Sequence, residues 1–286
     1  MASPSHDELR NLRRLIAATE PSDADYPEML LRLADRLVED SRHKEEVAAG
    51  LVGAGAAARE VEPLEAAATA LRAEAAALYA EIIDGPHYAH FRATDVALYE
   101  LAAIRSAAGD HVGMREPLLR LVRDFPQSPR IPSAYLLFAD YYFSAGEMAH
   151  AERFYDKVAT FAQARERPYA LYKLAWVRLN GSAERPRDPA KALEYLVRVL
   201  QDTASDANLR RAARRDVIPV YVEIGRPAKA AAFFRRIAED PTTGRTDDVE
   251  MLGWLRQAYQ DAGRDADAAV ISRALADAER RAGARG

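Results

Sequence analysis

Between Pro132 and Ala164 the hydrophobic positions describe two helices in succession. Tyr135, Phe138, Ala139 and Tyr142 fall at i, i+3, i+4 and i+7, one apolar stripe of a helix. Gly146 breaks the stripe where a tight turn needs a permissive backbone. Ala151, Tyr155 and Val158 then make the stripe of a second helix. The cadence recurs on both sides. Upstream it reads Leu98, Leu101, Ala102, Gly109, Met114, Leu118 and Leu121, closed by Pro126. Downstream it reads Leu171, Leu174, Ala175, Ala192 and Leu196, with the turn lengthened through Asn180–Pro189 (NGSAERPRDP). Two further units follow: Val217, Ile218, Tyr221, Gly225, Ala230 and Phe234, then Leu252, Leu255, Tyr259, Gly263, Ala268 and Leu275. Pro219 lies inside a predicted helix, where it removes an i→i−4 bond and is expected to bend the fourth unit.

The N-terminal third keeps the pattern but stretches it. Ser5 and Glu8 form a capping box before Leu9, Leu12, Leu15 and Ile16, so an opening helix is predicted to about Thr19. A loop at 20–23 leads to a second helix over Pro27–Asp40, with Leu30, Leu33, Ala34 and Leu37 as its stripe. The partner stripe comes late, at Ala75, Tyr79, Ile82 and Ile83, so Ser41–Glu65 reads as an insertion holding one or two Ala-rich helices.

The order large–small–aromatic, turn, Ala-x3-aromatic resembles the tetratricopeptide repeat (TPR), whose signature is W-x2-L-G-x2-Y…A-x3-F…P. Tyr135 stands for the Trp, Phe138-Ala139 for Leu-Gly, Tyr142 for the Tyr, and Ala151 and Tyr155 for the Ala-x3-Phe pair. Gly109 and Gly146 are 37 positions apart and Gly225 and Gly263 are 38 apart, close to the TPR period of about 34. The resemblance runs from Asp25 to Arg281 and implies an all-α, right-handed helical solenoid of five to six helix pairs. The corresponding organisation is a capping helix at 1–24, an atypical first repeat with the Ala-rich insertion at 25–92, and a TPR array with a C-terminal capping helix at 93–286, its tail (RRAGARG) fraying into solvent. The phrases YPEMLLRLADRLVED and ERPYALYKLAWVRLN are further similar to bacterial cell-envelope TPR adaptors.

Composition narrows the function. The chain of 286 residues is 49% hydrophobic and 29% charged, which suits a large core with a soluble surface, and it has no cysteine for disulfides or thiolate metal sites. The longest apolar run, Val47–Ala58, is short and Gly-interrupted, too weak to span a bilayer. The opening residues MASPSHDELRNLRR hold no apolar run of the secretory kind, so a cytoplasmic chain is expected, or a periplasmic one if a signal has been removed. Gly53-Ala54-Gly55-Ala56-Ala57-Ala58 spells G-x-G-x-x-A, but no β-strand run precedes it, and a helical hairpin explains the small residues better than a dinucleotide site. Asp84, His87 and His90 sit in an inter-repeat turn facing water, and His6, His43, His111 and His150 do not join them, so no metal or cofactor is expected. Asp247-Asp248 reads as helix N-terminal charge. No G-x-S-x-G, H-E-x-x-H or P-loop occurs, and no enzymatic activity is expected.

Charge is uneven. Residues 1–100 hold 10 Lys/Arg against 19 Asp/Glu, and residues 160–215 hold 12 against 6. Arg210, Arg211, Arg214 and Arg215 are read as one solvated helical face. A pI near 5.9 argues against nucleic acid and for an acidic protein segment as counterpart. In TPR proteins the first helix of each repeat lines a concave groove. The resemblance therefore implies partner-facing positions at Tyr99, Leu136, Asp140, Phe143, Tyr169, Tyr172, Trp176, Asn180 and Arg215, with Lys173 one place off the family's carboxylate clamp, which is not matched. The expectation is a non-catalytic adaptor that holds a protein or peptide segment there, with a homo-oligomeric scaffold as the alternative.

Overall fold

The computed structural model describes residues 4–181, 185–241, 244 and 246–283, and the side chains from residue 7 onward. Ser5 lies within α1 and its side chain is outside what is described, as are the middle of the Asn180–Pro189 turn (182–184) and the last three residues of the tail (284–286). Among the described residues the protein is all-helical, with one isolated bridge between Glu239 and Thr246. No described helix is long and apolar enough to cross a membrane. Thirteen α-helices follow one another: α1 (Pro4–Ala18), α2 (Tyr26–Gly53), α3 (Ala58–Asp84), α4 (Thr94–Ala107), α5 (His111–Asp124), α6 (Ile131–Ser144), α7 (Met148–Thr160), α8 (Arg167–Asn180), α9 (Pro189–Gln201), α10 (Ala207–Ile224), α11 (Ala230–Ala238), α12 (Asp248–Asp261) and α13 (Asp265–Gly283). The chain forms two compact units, Met1–Ala134 and Tyr135–Gly286.

In the first unit α1 packs on α2, α2 on α3, α3 on α4 and α4 on α5. Its core gathers the predicted stripes: Leu30, Leu33, Ala34 and Leu37 of α2 meet Ala75, Tyr79 and Ile82 of α3, with Leu101 of α4. Ser41–Glu65 is not an insertion between elements. Both helices of the first pair are simply long, 28 and 27 residues, and they turn at Ala54–Ala57. The apolar stripe thins past Asp40, yet helical hydrogen bonding carries on through Ser41–Gly53, where Arg42, Lys44, Glu45, Glu46, Ala48 and Ala49 are good helix formers. Ser41 itself is fully buried.

The second unit repeats one packing rule. Helices α7 and α8, α8 and α9, α9 and α10, and α12 and α13 are in contact, and so are the alternate helices α8 and α10, α10 and α12, α9 and α11, and α11 and α13. Tyr155, Val158, Leu171, Leu174, Val217, Phe234, Leu252, Leu255 and Tyr259 make one continuous core. Each large side chain so buried contributes about 1.5–3 kcal/mol against its exposed state.

One backbone detail differs from expectation. Gly146 has φ 77°, the left-handed conformation expected of a turn glycine. Gly225 does not: its φ is −75°. It is small because a Cβ there would collide with the Tyr221 ring, which is held by stacking on Phe233 at 4.9 Å and by donating to the Arg226 carbonyl at 3.0 Å. Pro219 does not end α10, which runs on to Ile224. The proline faces solvent, so the carbonyl it frees is open to water.

Candidate binding surface

Helix α8 carries two stripes. Leu171, Leu174 and Ala175 are fully buried. Tyr169, Tyr172, Lys173, Trp176 and Asn180 fall at i, i+3, i+4, i+7 and i+11, a second stripe beside that core, with Tyr172 packed at its edge. Pro168 in the first turn fixes where the helix starts, and the Asp202 carboxylate pairs with Arg167 beside it. Tyr169 is 38% and Trp176 40% exposed, unusual for rings of this size next to three fully buried neighbours.

The second stripe is tied to the helices on either side. Lys173 lays its ammonium 3.3 Å from the centroid of Phe143 on α6 and 6.0 Å from Tyr169. Asp140, also on α6, accepts a hydrogen bond from the Tyr155 hydroxyl at 2.6 Å. On the other side the Tyr172 hydroxyl donates to Asp216 of α10 at 2.7 Å, and its ring meets Trp176 edge-on at 6.5 Å. Asn180 donates from Nδ2 to the Trp176 carbonyl at 3.0 Å. Arg215 lies 5.9 Å over the ring of Trp254 on α12.

Burial tunes these groups. It pushes the Asp140 carboxyl above the ordinary carboxylate range, against the opposing pull of the Tyr155 hydroxyl and of Lys173. Burial likewise lowers the Lys173 ammonium, with Asp140 acting the other way. Asp216 is raised by burial despite its bond from Tyr172. The phenols of Tyr169, Tyr172 and Tyr155 are all raised, burial being the leading cause.

The structure thus groups Asp140, Phe143, Tyr169 and Lys173, sets Tyr172, Trp176 and Asn180 beside them on α8, and places Arg215 against α12. Leu136 and Tyr172 are half-buried against the core. Tyr99 belongs to the first unit, where Arg130 sits 5.3 Å over its ring.

The Arg210–Arg215 run is not one solvated face. Arg210 is 6% exposed and pairs with Asp240 while donating to the Asp202 carbonyl at 3.1 Å. Arg214 turns inward to Asp247. Only Arg211 and Arg215 are exposed. A spacing of four puts Arg210 and Arg214 on one side of the helix and Arg211 and Arg215 on the next, so four adjacent positions straddle the boundary between packing and solvent. Much of the wider basic stretch is also matched: Arg178 and Arg185 clamp Glu152, Arg187 meets Glu223, and Lys191 meets Glu194.

Three residues that matter here were not singled out from sequence as site positions. Asp216 and Arg211 were hidden in the charge run. Trp254 lies between the core positions Leu252 and Leu255, and a ring there cannot share their face, which was the available signal. The acceptor for Tyr155 was also legible. A tyrosine in place of the motif phenylalanine needs a partner when buried, and Tyr79 finds the corresponding one in Asp35, at 2.7 Å, in the first unit. Among the described residues no group of three His, Asp or Glu is placed to hold a metal ion, and His87 and His90 are exposed. Comparison of the chain with protein-family models and with curated proteins returns no match.

Proposed function

We propose that this chain is a TPR-type helical solenoid acting as a non-catalytic adaptor, which holds a segment of a partner protein along the first helices of successive repeats. The observation that supports it best is the exposed Tyr169–Trp176 stripe on α8. Core packing explains Leu171, Leu174 and Ala175, and leaves the two rings unaccounted for by stability. Aromatic side chains dominate protein interface energetics. The alternate contacts of α8 with α10 and of α10 with α12 also fit the reading, because stacked repeats bring first helices side by side. TPR arrays serve many unrelated roles, so the partner has to be read from the surface and not from the fold.

The test replaces rings that are exposed and spares Tyr172, whose hydroxyl ties α8 to α10. A Tyr169→Ala/Trp176→Ala protein is expected to melt within about 1 kcal/mol of the wild type and to lose a partner that wild type captures from native lysate. Equal recovery by both proteins would refute the surface. No partner from either, with a mass that grows with concentration in light scattering, would favour a self-assembling scaffold instead. The long α2–α3 hairpin, with Val47 40% and Val52 60% exposed, would then be the first place to look.

A further inference from the structure

Among the described residues, ion pairing leaves two neighbouring arginines of α10 without a carboxylate at the edge of a cleft. Between α10 and α12 lies a cleft of about 400 Å³, lined by Arg211, Arg214, Arg215, Asp247, Glu250 and Trp254. Arg214 is spent on Asp247, and Asp240 at the edge is taken by Arg210. Arg211 and Arg215 have no carboxylate partner among the described residues, although they stand one turn apart on the same side of α10, where like charges repel. Trp254 forms the wall beneath Arg215 and presents a flat apolar surface that keeps water from one side of the guanidinium. Glu250 is the remaining acid in the cleft and offsets one of the two positive charges.

We propose that this cleft is a binding site for a single side-chain carboxylate of an acidic protein segment, gripped between Arg211 and Arg215 over Trp254. The guanidinium fork matches a carboxylate in two-point geometry, and the volume has room for a side chain to enter. The inference rests on the adaptor reading and extends it. Asp216, which accepts the Tyr172 hydroxyl, is the residue after Arg215, so α10 carries both a tie to the aromatic stripe and the two arginines of the cleft. The acidic preference then comes chiefly from these two residues, because Arg167, Arg178, Arg185, Arg187 and Lys191 of the basic stretch are already paired with carboxylates.

The cleft can be tested without the natural partner. The chain has two tryptophans, so Trp176→Phe makes Trp254 the sole indole reporter. Titrating that protein with hexaglutamate should give a saturable change in Trp254 emission that weakens as salt is raised. Adding Arg211→Gln/Arg215→Gln should weaken binding about tenfold or more, whereas adding Glu250→Gln should tighten it. Circular dichroism melts establish that each protein is folded. Unchanged affinity in the arginine variant, or no tightening with Glu250→Gln, would overturn the site. Inorganic phosphate displacing hexaglutamate at equal concentration would also overturn it, and would mark a small-anion site. A flat titration with partner capture through Tyr169 and Trp176 intact would remove the cleft alone. Loss of that capture model would leave the titration standing.

Discussion

Glu152 is the most informative residue to remove. It lies on α7 with its side chain 3% exposed, clamped between Arg178 of α8 and Arg185 of the loop before α9. The two arms differ in weight. The Arg178 side chain is 19% exposed and is desolvated along with the carboxylate, whereas Arg185 is 51% exposed and its attraction is screened by water. Replacing Glu152 by Ala leaves the enclosed Arg178 guanidinium with only the through-space attraction of Asp156, and breaking a buried pair in this way costs about 3–5 kcal/mol. Partial exposure of Arg178 puts the expectation at the low end, about 3 kcal/mol, or roughly 6–12 °C in melting temperature for a unit of this size. Arg185→Ala should cost at most about 1 kcal/mol. Both tryptophans lie in the second unit, so urea unfolding followed by their fluorescence reads that unit. In a double-mutant cycle, Arg178→Met should recover much of the loss in the Glu152→Ala background, because the stranded charge goes with it. A Glu152→Ala cost under about 1 kcal/mol, or no coupling to Arg178, would refute the assignment of Arg178 as the desolvated partner.

Two further outcomes follow from single contacts. Burial raises the Asp140 carboxyl, so its stabilising contribution is complete below the ordinary carboxylate pKa and is lost as pH climbs through the raised folded value. Asp140→Asn should therefore gain on wild type as pH goes from about 4 to 7, and parallel urea-stability profiles would contradict this. Gly225→Ala drives a methyl into the Tyr221 ring, which its hydrogen bond and stacking hold in place, and should cost about 1–3 kcal/mol. A melt unchanged from wild type would show that the ring yields.

The all-helical class and the principal core were legible because the apolar period survives wherever two faces pack. Leu171, Leu174, Ala175, Leu252 and Leu255 were each read from spacing and each is fully buried. Where one face meets solvent the period fades, and there the reading slipped: α2 continues past Asp40 with only small residues, Ser41 and Ala48, buried in place of the leucine stripe. Gly225 misled for a related reason. Glycine in a sequence marks either a left-handed turn or a close approach, and only the position of Tyr221 distinguishes the two.

Chemistry of the surface depended most on tertiary structure. The sequence by itself determined that residues 160–215 are rich in arginine and that α8 carries aromatic residues beyond those its core needs. It could not say which arginines are free, because their carboxylate partners come from helices distant in the chain: Glu152 for Arg178, Asp202 for Arg167, Asp240 for Arg210 and Asp247 for Arg214. Periodicity is a local property, fixed by 3.6 residues per turn, and the sequence states it outright. Pairing of charges is set by which helices the core brings side by side, and only the packed structure decided that Arg211 and Arg215 keep no carboxylate partner among the described residues, with Arg215 over Trp254.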